Sequence, residues 1–96
     1  MSGTEARWNG KVIAASDNCI NVEGNAYFPS QDLKQEFFMS STHTSVCPWK
    51  GDSNYFDVVV DGKTNASAAW VYNAPKAAAA SVKGYMAFWK GVEIKG

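Results

Sequence analysis

The chain has 96 residues, of which 46% are hydrophobic and 19% charged, and this fits one domain spanning residues 1–96 without room for a second core. Nine Lys and Arg residues balance nine Asp and Glu residues, and the basic residues are scattered from Arg7 to Lys95, so nucleic-acid binding is not expected. The first residues do not resemble an export signal, and no apolar run reaches the roughly eighteen residues of a membrane span. We therefore expect a cytoplasmic domain that does not contact membranes.

Short extended segments separated by turn residues dominate the first part of the chain. Lys11–Ala15 and Cys19–Val22 follow one another closely, which predicts an opening hairpin. A second turn is predicted at Glu23-Gly24-Asn25. Ser30 is placed to cap one short helical turn before an extended stretch at Phe37–Met39.

Two alternating segments predict a central hairpin. Asn54–Val60 places its apolar side chains on one face, and the small and aromatic residues of Thr64–Tyr72 alternate in the same way. A two-residue turn between them would pair Phe56 with Ser67, whereas a three-residue turn would pair Phe56 with Ala66. We favour the three-residue turn because it sets large side chains opposite small ones.

The last quarter of the chain predicts one helix and the closing strands. Helix-forming residues at Lys76–Val82 follow Pro75 and end before Gly84, while Tyr85–Trp89 and Val92–Ile94 read as strands. The prediction is a mainly β (β-rich α+β) fold of about seven or eight short antiparallel strands. It takes the form of a small barrel or a bent two-sheet fold with one short C-terminal helix.

The densest group of polar and aromatic residues, at positions 40–51, carries the candidate catalytic residues. Cys47 is a candidate thiolate nucleophile activated by His43, the only histidine, with Glu23 orienting the imidazole. The alternative is that Cys47 is a small buried apolar residue and that His43 bonds a nearby carbonyl. Because the sequence lacks an export signal, Cys19 and Cys47 are expected to be reduced.

Metal and phosphate chemistry receive less support from the sequence. A zinc site built from Cys19, Glu23, His43 and Cys47 lacks any C-x-x-C or H-x-x-x-H pair, so we expect no metal. The phosphate-binding glycine motifs do not occur. Two aspartates four residues apart on a strand lie roughly 13 Å from each other, too far to share a pair of metal ions. No cofactor is therefore expected.

An aromatic-walled binding site is the other candidate. Lys50 follows Trp49, and Trp70 and Tyr72 lie in the neighbouring hairpin, so together they could hold an anionic or ring-bearing ligand. The alternative is that these aromatic residues belong to the core and that Lys50 is solvated.

Five ordered blocks of the sequence carry a family resemblance: Trp8-Asn9-Gly10, Glu23–Pro29, Ser41–Thr44 with Cys47–Gly51, Ala69–Tyr72 and Ala87-Phe88. In their order and spacing, over nearly the whole chain, they resemble the small bacterial domains grouped as domain of unknown function 427, which are sometimes labelled nucleotidyltransferase-like. Val71 stands where that family often has tyrosine. The resemblance implies a mainly β fold but no particular reaction. It also implies a site where these residues approach one another: Glu23, Asn25, Tyr27, Thr42, His43, Cys47, Lys50 and Trp70.

These observations predict a small-molecule-binding domain, with catalysis left open. In an enzymatic version Cys47 or His43 is the nucleophile or general base, Lys50 steadies an anionic group, and Glu23 orients the histidine. The alternative is a structural or protein-interaction module without a ligand, in which an exposed strand edge recruits a partner. The sequence leaves the ligand and the oligomeric state open.

Overall fold

A computed structural model describes residues 3–96, and in this range the chain is mainly β, as predicted. The strands are β1 (Thr4–Trp8), β2 (Lys11–Ser16), β3 (Ile20–Val22), β4 (Asn25–Tyr27), β5 (Phe38–Cys47), β6 (Gly51–Val60), β7 (Lys63–Val71), β8 (Met86–Phe88) and β9 (Glu93–Lys95). Three short 3₁₀ helices lie at Ser30–Asp32, Gln35–Phe37 and Ala77–Val82. None of the helices in residues 3–96 has the length and apolar character needed to cross a bilayer.

The chain opens with a different hairpin from the predicted one. β2 pairs with β1 across Asn9-Gly10, where both residues have positive φ (50° and 80°), as a two-residue hairpin turn requires. β3 instead pairs with β4 across Glu23-Gly24. The predicted pairing of Lys11–Ala15 with Cys19–Val22 is therefore wrong: β1 takes one edge of β2, and Leu33 and Lys34 take the other through a bridge to Ala14 and a hydrogen bond to the Ile13 carbonyl.

The largest sheet has the strand order β5-β6-β7-β8. Val60 pairs with Lys63 around the two-residue turn Asp61-Gly62, so the favoured three-residue turn is wrong. Further from the turn β7 bulges, so that residues 66–68 oppose Asp57 alone and Phe56 pairs with Ala69. β5 bulges on the other side of β6, where residues 41–43 oppose a single residue.

Two sheets pack face to face around the main core. The smaller sheet has the order β2-β1-β9, and it contributes Ala6, Ile13 and Ala14 to a cluster with Phe28, Val58, Val60, Ala68, Ala69, Val71, Met86 and Phe88. The β3–β4 hairpin continues the large sheet beyond β8, because the backbones of Phe28 and Met86 exchange two hydrogen bonds of 2.8 and 2.9 Å. Within residues 3–96 the strands form three antiparallel sheets that do not close into a barrel, so the mainly β class is confirmed and the predicted barrel is not formed.

The predicted C-terminal helix is present as a bent 3₁₀ helix at Ala77–Val82. Its residue Ala79 has non-helical dihedral angles (φ −126°, ψ 16°), and no side chain caps its first turn. A segment this short gains too few hydrogen bonds to propagate an α-helix, so its contacts decide its shape. Ala79 and Val82 are buried against Tyr27 and Tyr72 in a second apolar cluster.

Candidate functional site

The two faces of the large sheet have different environments. One face packs on the main core through side chains such as Phe56 and Val71. The opposite face, which we call the aromatic face, carries Tyr55, Trp70 and Tyr72, and Tyr55 lies directly opposite Trp70 in the β6–β7 ladder. The β3–β4 hairpin and the last 3₁₀ helix cover the Tyr72 end of this face.

Trp70 is the centre of an aromatic network on this face. Its ring centroid lies 6.2 Å from that of Tyr27, 6.5 Å from Tyr55 and 6.0 Å from Trp89. The His43 ring is tilted by 60° against that of Tyr55, with 4.5 Å between the two ring centroids. Trp70 and Tyr55 are half-buried while Trp89 and His43 are exposed, so ring surface remains available to a ligand or a partner.

Two phenol hydroxyls lie at the covered end of the aromatic face. The Trp70 indole Nε1 donates a hydrogen bond of 3.2 Å to the Tyr27 hydroxyl. Tyr72 is only 7% exposed, and its hydroxyl has no side-chain partner within residues 3–96. Every buried side-chain oxygen and nitrogen in that range is paired, so the Tyr72 hydroxyl must reach the surface although its ring is buried.

Both phenols are held in the neutral form. Burial raises the pKa of Tyr27 and the pKa of Tyr72 above the ordinary tyrosine value, and the neighbouring Cys47 and Tyr55 raise them further. These two groups therefore remain O–H donors well above neutral pH.

A chain of hydroxyls crosses the middle of the aromatic face. Ser45 on β5 contacts the Ser53 hydroxyl at 2.9 Å and the Tyr55 hydroxyl at 3.1 Å. Ser53 is buried, and its pairing with Ser45 satisfies it without a charged group. The hydroxyls of Ser45, Ser53 and Tyr55 therefore add neutral hydrogen-bond donors and acceptors to the ring surfaces of this face.

The only charged pair among the predicted site residues joins two turns. The Lys50 ammonium, in the β5–β6 turn, contacts the carboxylate of Glu23 in the β3–β4 turn. The Lys50 side chain is 13% exposed and that of Glu23 is 58% exposed. Since the cation is the desolvated partner and the carboxylate is free to turn into water, another anion could replace Glu23 at Lys50.

The three predicted catalytic residues are not assembled into one group. His43 and Cys47 are both on β5, four residues apart, which corresponds to roughly 13 Å along an extended strand. The His43 ring contacts Tyr55, and Glu23 pairs with Lys50. Cys47 is the half-buried last residue of β5 and lies opposite Gly51.

The remaining predicted residues lie around this site. Asn25 is half-buried on β4 opposite Val22, and Thr42 is exposed in the β5 bulge. Trp49 is exposed in the β5–β6 turn and takes no part in the ring pairs of residues 3–96. Four residues on this face were not predicted from the sequence: Ser45, Ser53, Tyr55 and Trp89. The positions of Tyr55 and Trp89 beside the other rings depend on the bulges in the large sheet.

The two thiols are unbridged, and the surface cavities avoid the residues predicted from the sequence. Cys19 and Cys47 are both free, as expected. In residues 3–96 no three His, Cys, Asp or Glu side chains are grouped so that they could hold a metal ion. Cavities of about 310 and 220 Å³ open elsewhere on the surface, and a third of about 300 Å³ is lined by Ser45 and Ser53 of the hydroxyl chain. None of the residues predicted from the sequence lines these three cavities.

The chain folds into a small mainly β domain of three antiparallel sheets, with an aromatic surface flanked by an ion pair. The chain belongs to the family described as domain of unknown function (DUF427), whose model matches residues 2–95. This confirms the family resemblance. No curated protein matches the chain.

Proposed function

We propose that this domain binds a small ring-bearing molecule on the aromatic face, and that the ligand presents an acceptor oxygen, as in a carboxylate or a carbonyl. The observation that carries the proposal is the Tyr72 hydroxyl, which is unpaired and accessible although its ring is buried. A phenol whose ring is held by packing while its hydroxyl faces solvent is a donor fixed in position before a ligand arrives. A ligand acceptor could take the place of water at this donor.

The neighbouring residues support the same ligand chemistry. Trp70, Tyr55 and Trp89 offer ring surface for an apolar or planar group. Tyr27 accepts from Trp70 and retains its own proton for donation. Lys50 provides a positive charge for an anionic ligand that displaces Glu23. Asn25, Thr42, His43 and Trp49 belong to the border of this site.

We propose binding rather than a reaction as the basic activity. A mechanism in which His43 activates Cys47 requires the two groups within hydrogen-bond reach, and about 13 Å of strand separates them. We further propose a cytoplasmic location, which is supported by the two free thiols.

The test uses indole-3-carboxylate as the probe, with indole and acetate as its two halves. We expect saturable NMR shifts of the Trp70 and Trp89 indole N–H groups with the carboxylate and weaker shifts with either half. Tyr72→Phe removes one hydrogen bond to a charged acceptor and should weaken binding by about tenfold or more. Lys50→Ala should weaken the carboxylate but not neutral indole.

The matched control is Tyr85→Phe. Tyr85 is a half-buried tyrosine that packs against the cluster to which Tyr72 belongs. Removing its hydroxyl should leave the affinity for indole-3-carboxylate unchanged. If none of the three probes saturates, or if Tyr85→Phe weakens binding as much as Tyr72→Phe, the proposed site is wrong.

A further inference from the structure

Strand β5 is a free outer edge of the large sheet. It is ten residues long, and within residues 3–96 it pairs only with β6. Most of its residues are exposed, including two large apolar side chains, Met39 at 61% and Val46 at 72%. An edge of this length presents a row of backbone N–H and C=O groups to which another strand can be added.

β5 lacks the charged residues that usually protect such an edge. Natural sheets discourage edge-to-edge pairing with lysines, prolines, very short edge strands or bulges. Residues 38–47 include no Lys, Arg, Asp, Glu or Pro. The edges of the smaller sheet are different, since β9 carries Glu93 and Lys95 and β2 carries Lys11. On β5 only the bulge at residues 41–43 interrupts the ladder.

We propose that β5 pairs with β5 of a second copy of this chain, antiparallel and across a twofold axis. A neutral strand opposes no like charges when it pairs with itself, and the regular segment Thr44–Cys47 is free of the bulge. Such a pairing joins the two four-stranded sheets into one and occupies both β5 edges, so assembly stops at the dimer.

The pairing also covers apolar surface. Val46 lies within the regular segment and is the most exposed large hydrophobic side chain of the described residues. An antiparallel pairing centred on this segment brings Val46 of the two copies close together. Because one strand pair forms a small interface, the dimer should be weak, with a dissociation constant in the micromolar range or above.

The experiment is sedimentation velocity on the full chain between about 10 µM and 1 mM, a range chosen for a weak interface. The weight-average mass should rise from 10.4 kDa toward twice that value. Val46→Lys places two like charges near each other and should raise the dissociation constant by about tenfold or more. The matched control, Ile94→Lys, changes an exposed apolar residue on β9 and should have no effect.

Amide hydrogen exchange provides the second readout. The backbone amides of residues 44–46 that face the edge should become protected as the concentration rises, and Val46→Lys should abolish that protection. A monomer at the highest concentration overturns the proposal, as does a dimer that Ile94→Lys weakens and Val46→Lys does not. If the edge amides of a monomer become protected only when an unrelated uncharged peptide is added, β5 serves a different partner and the dimer is wrong.

Discussion

Removing the hydroxyl of Tyr27 and that of Tyr72 should affect stability very differently. Tyr27→Phe leaves the Trp70 indole N–H without its acceptor. Tyr72→Phe removes a hydroxyl that has no side-chain partner within residues 3–96. Both rings stay buried in either variant, so the comparison isolates the hydrogen bond from the packing.

The expected magnitudes follow from the surroundings of the indole. Losing a hydrogen-bond acceptor costs between about 1 and 3 kcal/mol, depending on how well water can replace it. Trp70 is half-buried, so we expect the lower end, about 1 kcal/mol, for Tyr27→Phe. For Tyr72→Phe we expect a change within about 0.5 kcal/mol.

Urea unfolding at pH 7, followed by tryptophan fluorescence and circular dichroism, measures both variants. With a slope of about 1–3 kcal/mol/M, the midpoint of Tyr27→Phe should fall by about 0.3–1 M while that of Tyr72→Phe stays nearly constant. An unchanged slope shows that the change lies in native stability. If Tyr72→Phe destabilises as much as Tyr27→Phe, the Tyr72 hydroxyl has a partner and the argument for its free donor fails.

Three further predictions concern pH, a turn and a bulge. The pKa of Tyr72 is raised in the folded state, so the stability that this tyrosine contributes is complete below the ordinary pKa of 10.0 and is lost as pH rises through the folded pKa. Tyr72→Phe should therefore flatten the alkaline part of the curve of unfolding free energy against pH. An unchanged slope in that range would contradict this prediction. Gly51 has φ 113°, and an added Cβ would lie 3.3 Å from the Pro75 Cα. Gly51→Ala should therefore lower the free energy of unfolding by about 1–3 kcal/mol, measured by thermal unfolding. A neutral effect would show that the turn relaxes around the added methyl group. Asp57 accepts a 2.8 Å hydrogen bond from the Ser67 N–H in the β7 bulge, so Asp57→Ala should lower the free energy of unfolding in urea by about 1–3 kcal/mol. The control variant Asp52→Ala changes an exposed aspartate and should be neutral. Equal effects of the two variants would show that Asp57 does not hold the bulge.

The strands were predictable because their patterns are local. The alternation of Asn54–Val60 gives β6, and the residues on its apolar face are in the core. Turn pairs such as Asn9-Gly10 locate the reversals, although the sequence did not reveal which strands they join. The pairing of β1 with β9 depends on contacts between the two ends of the chain, which local patterns do not encode.

The aromatic face could not be assembled from the sequence because of one bulge. With Phe56 opposite Ala66, continuing the favoured register would place Trp70 opposite Asp52. In the structure Phe56 pairs with Ala69, three residues further along, and Trp70 therefore lies opposite Tyr55. The bulge depends on Ser67 at a positive φ of 54°, a conformation that serine rarely adopts and that no sequence pattern indicated.

The bulge is also held by groups from distant parts of the chain. The Trp89 indole donates to the Ser67 carbonyl at 2.6 Å, and the Ser67 hydroxyl contacts that of Ser41 at 2.9 Å. The Glu23–Lys50 pair similarly joins residues that are 27 positions apart. The family resemblance implied that His43 and Cys47 approach one another, but both lie on strand β5, four residues apart.

The pairing of β1 with β9 has a consequence for the order in which the domain folds. Glu5 pairs with Lys95, so the ladder closes only after nearly the whole chain has been brought together, whereas β1 and β2 meet across a two-residue turn. The entropy of closing so long a loop must be overcome before that ladder gains stability. β9, short and exposed throughout, should therefore join last during refolding and detach first in the native ensemble, with amides that exchange well before those of the β1–β2 hairpin.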